Sequence, residues 1–328
     1  MEVDIPAALN ALAPKLGGTA VEKAQRLTGG ASMETWAFTL VGGGEPRPLI
    51  LRRRSVPMDP ETSRSATMAA EAALIRAAEH AGAPVAPLVR LCQPEDDLGE
   101  GHITGFVAGE TLGRKIVADP KFDTVRPHLA RQCGQILARI HTIPAGAAPL
   151  ATADAQGELD RYEAIYRSSG AERPILEMAI QHMRRNLPPP LPNVVLHGDF
   201  RNGNMMFDPD RGVAAVLDWE LAHVGDPAED LGWLCVNSWR FGRADRPVGG
   251  FGEYQDLLEG YIEAGGVEIP LSRVLFWQAL GSLKWGIMCL MMYSSYATGA
   301  TNSVERPMIG RRVSETEIDL VNLLEAGL

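Results

Sequence analysis

Few cysteines, no internal repeat and almost no concentrated positive charge mark this chain, and each absence removes a class of protein. The four cysteines, Cys92, Cys133, Cys235 and Cys289, lie far apart with no CxxC pair. That excludes a small disulfide-stapled scaffold and points to reduced thiols in a cytoplasmic protein. Lys and Arg number 31 against 41 Asp and Glu, a formal net charge of −10, and the one basic run is LRRRS at Leu51 to Ser55. The balance disfavours nucleic acid and anionic membrane as partners, while leaving room for one local phosphate-binding pocket. The opening MEVDIPAALNALAPKLGG is acidic with an early proline, unlike a secretory signal. One long apolar run, Val274 to Tyr296, could span a bilayer, but it contains Gln278 and Lys284. A central Lys costs about 3 kcal/mol on insertion scales, so a buried core helix is expected there.

What is present is the composition of a globular protein, 45 % hydrophobic and 22 % charged over 328 residues, long enough for two lobes. The first hundred residues read as α+β. ASMETWAFTLV and PLILRRR suggest strands, an alanine-rich helix follows over about Ser63 to His80, and VAPLVRLC and HITGFVAG flank an acidic turn as a hairpin. Beyond Thr111 the periodicity is mostly helical, apart from three short strand signals, NVVL, NMMF and GVAAVL. The expected architecture is a small antiparallel-sheet lobe over residues 1–104, a connector over 105–110, and a larger mainly helical lobe over 111–328. The proline cluster Leu187 to Pro192 reads as a stiff lead-in to the strands, since proline cannot continue a helix.

Those strands surround VVLHGDFRNGNMMFDP, residues 194–209, in which three aliphatic residues run into a turn crowded with polar groups. A hairpin through DPDRG would bring His197 to Asn204 beside Asp218, at the end of the next strand. Asp199, Asn204 and Asp218 then offer hard oxygen donors that suit Mg²⁺. Phosphoryl transfer needs a carboxylate to take the proton of the attacking hydroxyl, oxygen ligands for metal and a cation on the phosphate. Asp199 is the candidate base, Asn204 and Asp218 the candidate metal ligands, and Arg201 the candidate cation. Asn202 is expected only to cap backbone groups. Arg52 and Glu71 form a second candidate pair: Glu71 shares the apolar helix face of Met68 and Ile75, and an inward carboxylate needs a partner.

His197-Gly198-Asp199, then Asn204, then VLDWE and HVGDPAEDLGW resemble the aminoglycoside phosphotransferase family of the protein-kinase-like fold, and most closely the branch fused to acyl-CoA dehydrogenases. The spacing from Asp199 to Asn204 matches the kinase catalytic loop, with Gly198 where kinases hold Arg, and Asp218 matches the metal-binding Asp. The resemblance implies a bilobal kinase-like fold and Mg²⁺-dependent transfer of the γ-phosphate of ATP or GTP to a small-molecule hydroxyl. The acceptor classes it raises are hydroxyacyl-CoA or hydroxy acid, aminoglycoside, choline and sugar. It places Gly29, Gly30 and Ser32 in a nucleotide-covering loop, Arg52 where kinases hold Lys, and Glu71 as the partner of Arg52. It also implies structural support of the catalytic loop from His197, Asp226 and Asp230. His141 is expected to serve packing. Two other readings stay open: a metal-dependent phosphohydrolase using His223 and Asp226 as further ligands, and an idle nucleotide-binding module. The sequence leaves the oligomeric state open.

Overall fold

The structure, a computed structural model, describes residues 3–27, 33–55 and 65–327. Strands β1 (Ala20–Arg26), β2 (Met33–Val41), β3 (Arg47–Arg54), β4 (Leu88–Leu91) and β5 (Gly101–Gly105) form one antiparallel sheet in the order β1-β2-β3-β5-β4. Helix α1 (Ile5–Leu12) buries Ile5, Leu9 and Leu12 against Phe38, Leu40, Leu49, Leu51 and Ile103. Strand alternation decides what remains on the other face. With Leu49 and Leu51 turned to α1, Ile50 and Arg52 line the cleft under the sheet.

Helix α2 (Met68–His80) crosses that cleft and sends Ala70, Leu74, Ile75 and Ala78 into the core of the larger lobe. It starts later than the sequence suggests, because the Thr67 hydroxyl accepts from Ala70 N at 3.1 Å and caps it there. Ser63 lies outside the described residues, as do Gly29, Gly30 and Ser32.

The larger lobe is built from α3 (Gly113–Ala118), α4 (Leu129–Ile140), α5 (Ala155–Ser168) and α6 (Pro174–Arg185), then two short strand pairs and five more helices. Strand β6 (Val194–Leu196) pairs with β9 (His223–Gly225), and β7 (Met205–Asp208) pairs with β8 (Gly212–Val216). Then come α7 (Ala228–Leu234), α8 (Tyr254–Glu263), α9 (Leu271–Ala297), α10 (Glu305–Gly310) and α11 (Val313–Glu325). Helices α4 and α8 touch backbone to backbone at Gly134, where a Cβ would lie 2.1 Å from the Leu257 carbonyl oxygen. Helix α9, 27 residues long, is the apolar run noted in the sequence, and 78 % of its most hydrophobic stretch is buried inside the protein. It is the central core helix of this lobe, packed by α7, α10 and α11.

One buried ion pair fastens α9 to the strands. Arg273 Nε donates to both oxygens of Asp226, at 3.1 and 2.9 Å, and its Nη1 donates to the Pro189 carbonyl at 2.6 Å. The proline segment is thereby tied to the end of β9, as a lead-in should be. Asp226 Oδ1 also accepts from Ala228 N at 2.9 Å and caps the start of α7. The support expected from Asp226 therefore goes to α7, α9 and the proline segment, and not to the catalytic loop. Both side chains are almost fully buried, so Arg273→Met strands a carboxylate and should cost about 3–5 kcal/mol in urea unfolding. Adding Asp226→Asn removes the charge, keeps the cap and should recover most of that loss.

Candidate active site

The polar turn after β6 is the candidate catalytic loop of the sequence reading, and its shape rests on one carboxylate. Asp230, fully buried on α7, accepts from the backbone N–H of His197 at 2.8 Å and of Gly198 at 2.9 Å. His141 Nε2 lies 3.3 Å from the same side chain, and its Nδ1 lies 2.8 Å from the Tyr261 hydroxyl. His141 thus braces the anchor, a role beyond the packing expected of it. Burial opposes ionisation of Asp230, but His141 and then His197 outweigh it and hold its carboxyl below the usual range. Gly198 has φ +78°, and a Cβ there would meet the Leu221 carbonyl at 2.2 Å, so glycine is required on both counts.

His197 Nε2 is 2.9 Å from the Leu217 carbonyl oxygen and its ring packs edge-on against Trp219. Asn202, buried, donates to the Trp239 carbonyl at 3.1 Å and the Gly249 carbonyl at 2.6 Å, so it caps backbone groups, though distant ones. Between them the Asp199 carboxylate is held by three donors. Arg201 Nε and Trp233 Nε1 reach its Oδ1 at 2.9 and 2.7 Å, and Asn204 Nδ2 reaches its Oδ2 at 2.5 Å. A carboxylate accepts at about four sites, so Oδ2 keeps one for a substrate hydroxyl. The Arg201 guanidinium also lies over the Trp239 ring, 4.5 Å from its centroid.

The hairpin β7–β8 sets Met205 opposite Val216, and Leu217 N donates to the Asn204 carbonyl at 2.8 Å. Asn204 and Asp218 are therefore brought side by side. Asp218 has φ +65°, a left-handed conformation that turns the chain sharply at the cleft. Its Oδ1 accepts a very short hydrogen bond from Arg52 Nη2, which also lies 3.0 Å from Glu220 Oε2, while Arg52 Nε is 3.6 Å from Glu71. One guanidinium from the sheet thus faces three carboxylates. Burial, then the charges of Asp218 and Glu71, push the Glu220 carboxyl up to about 7 against the pull of Arg52 and Arg54. That excess of negative charge, beside an Asn whose Nδ2 is spent on Asp199 and whose oxygen remains to accept, fits a divalent cation with hard oxygen ligands. Arg52, Glu71, Ile50, Thr104, Leu217 and Asp218 line a cleft of about 190 Å³ between the lobes.

The residues of the hydrolase reading do not join this cluster. His223 Nε2 is 3.1 Å from Glu229 and Asp226 is bound by Arg273. Among the described residues no three His, Cys, Asp or Glu side chains are placed to hold a metal. Glu220 and Trp233 escaped the sequence reading. Trp233 falls three residues after Asp230 on α7, the spacing that puts both on one helix face, and that signal was available.

A phosphotransferase is the class this loop and cleft define. The family model described as "Phosphotransferase enzyme family" matches residues 23–291, and the chain belongs to that family. Acyl-CoA dehydrogenase family member 10 of Mus musculus is 29 % identical over 201 residues, 58 % of this chain and 18 % of that protein. The chain thus spans about a fifth of that relative's length. Among solved structures, a Ralstonia eutropha protein assigned to the aminoglycoside phosphotransferases is 20 % identical with a TM-score of 0.73, covering 99 % of each chain. A thermostable mutant of an aminoglycoside phosphotransferase, in ternary complex with AMP-PNP and hygromycin B, is 17 % identical with a TM-score of 0.58, covering 98 % of this chain and 99 % of that one. These likenesses confirm the kinase-like fold.

His223 supplies a test of the site's electrostatics. Burial disfavours its charge, but Glu229 and the Leu221 carbonyl raise its pKa to about 9. A raised histidine stabilises the fold fully below its unfolded pKa of about 6.5, and that contribution is lost as pH rises through about 9. The His223 imidazole should thus remain protonated at pH 8 in NMR titration, and Glu229→Gln should lower its midpoint.

Proposed function

We propose that this chain transfers the γ-phosphate of ATP or GTP to the hydroxyl of a small molecule, with Mg²⁺ as cofactor. The observation that carries the reading is the Asp199 carboxylate, oriented by Arg201, Trp233 and Asn204 with an acceptor site to spare. In this reading Asp199 takes the hydroxyl proton as the oxygen attacks the γ-phosphorus, and the bond from that phosphorus to the β,γ-bridging oxygen breaks. Asn204 and Asp218 would hold the metal, which would supply neutralisation of charge on the phosphates. Arg201 is the nearby cation for the transferring group.

Arg52 is the phosphate-binding cation in place of the Lys of kinases, and Glu71 holds it inward. It donates a planar fork and keeps its charge, because Asp218, Glu71 and Glu220 raise its pKa in spite of burial. Gly29, Gly30 and Ser32 are assigned to the nucleotide-covering loop. Residues 1–104 form the covering lobe, 105–110 the hinge, and 111–328 the catalytic and acceptor-binding lobe. Nucleotide binding is supported by the AMP-PNP carried by the similar aminoglycoside phosphotransferase. Hydroxyacyl-CoA or hydroxy acid, aminoglycoside, choline and sugar are the candidate acceptor classes, and four buried thiols suit action in the cytoplasm.

Asp199→Asn should lower transfer by about 10²- to 10⁴-fold while Mg·ATP still raises the melting temperature. Mass spectrometry of phosphorylated products from a panel of hydroxyl compounds measures the first, and calorimetric melting the second. Near-normal turnover would remove Asp199 as base. Asp218→Ala should abolish the part of the nucleotide-induced melting shift that requires Mg²⁺.

A further inference from the structure

Arg201 and Asp199 form an incomplete pair. An arginine beside a carboxylate often bonds both of its oxygens through two parallel N–H groups. Here only Nε reaches Asp199, at 2.9 Å from Oδ1. Nη1 is turned to the Asn202 carbonyl at 3.0 Å, and among the described residues no oxygen accepts from Nη2. The second carboxylate oxygen, Oδ2, is left to Asn204 Nδ2 at 2.5 Å.

A ring lies under that guanidinium. Trp239, buried in the short turn Asn237–Trp239 that follows α7, has the Arg201 guanidinium carbon 4.5 Å from its ring centroid. A cation over an indole face is attracted by the ring quadrupole, more strongly where water is scarce, and the planar head of arginine stacks there. The ring is itself fixed. Its centroid lies 5.3 Å from that of Trp233 and 5.0 Å from that of Trp285, and the Trp239 carbonyl accepts from the buried Asn202 side chain at 3.1 Å. On the loop, Gly203 with φ +105° leaves space for the arginine head, since a Cβ there would lie 2.7 Å from Nη1. Turning the guanidinium onto Oδ2 would forfeit the ring face and the Asn202 carbonyl together.

We propose that Trp239 is a positioning residue of the transfer reaction: its ring holds Arg201 to a single bond with Asp199, so that Oδ2 stays open to the acceptor hydroxyl and Nη2 to the transferring phosphate. The inference rests on the phosphotransferase reading of the site. Trp239 acts through Arg201 alone. Without the ring, the guanidinium would close on both oxygens of Asp199, the ordinary geometry of such a pair, and cover the base.

The test uses the full chain with Mg·ATP or Mg·GTP, and phosphate release with water as the acceptor reads the site without the natural acceptor. Trp239→Leu should lower kcat about tenfold and leave the nucleotide KM within about threefold. Trp239→Phe keeps a ring face and should recover most of the loss. In an Arg201→Met background, Trp239→Leu should change kcat by less than about twofold, because its effect runs through the guanidinium. In NMR with labelled arginine, the Arg201 side-chain protons should carry an upfield ring-current shift that Trp239→Leu removes, with Arg201→Met assigning the signal. Unchanged kcat in Trp239→Leu, an equal loss in Trp239→Phe, or the full loss again in the Arg201→Met background would overturn the proposal. Should Trp239→Leu not fold, Trp239→Phe and the wild-type spectrum still decide, since an unshifted Arg201 signal overturns the proposal as well. No transfer by the wild type to water or to any hydroxyl compound, with the Arg201 signal shifted, would remove the phosphotransferase reading instead of the contact.

Discussion

Everything at this site hangs on the hydrogen bonds that Asp230 accepts from two consecutive backbone amides. They fix the turn at His197 and Gly198, and that turn aims Asp199. A loop with so many polar groups has many ways to pair them locally. A buried charge that is satisfied only by one backbone conformation removes the alternatives, since leaving it unpaired would cost more than any local gain. The same helix carries Trp233, whose indole N–H reaches the Asp199 carboxylate. Anchor and orienter therefore stand on one rigid element packed against α9.

The elements legible in the sequence are those whose signal is local. The strands β2, β3, β7 and β8 alternate or run apolar between turn residues, and the spacing of Asp199, Asn204 and Asp218 marks the loop and hairpin before any coordinates. Arg52 and Glu71 were also readable, because strand alternation and helix periodicity turn both inward. Strand β1 was not, since AVEKAQR lies on the sheet edge, largely exposed and with no apolar face to show. Strand β9 is three residues long and exists through its pairing with β6. The role of His141 is tertiary. It is defined by an Asp 89 residues away.

The departure from the kinase pattern at Arg52 has a physical compensation. A lysine is a compact point charge, whereas the guanidinium presents a fork, and this fork meets Asp218, Glu220 and Glu71 together. The burial that would make a lysine prone to lose its charge acts here on a group that stays charged at any physiological pH.

Arg52 belongs to the sheet, and Asp218 and Glu220 belong to the other lobe. The bond between them is therefore a strut across the cleft as well as a charge balance inside it. In the proposed phosphotransfer, a divalent cation held at Asp218 would compete with the guanidinium for the same oxygens, and Arg52 would then be free to turn toward phosphate. Ion binding and the spacing of the two lobes would then form a linked equilibrium, since linkage runs in both directions. Whatever separates the lobes would retune the affinity for metal, and whatever fills the metal position would retune the separation.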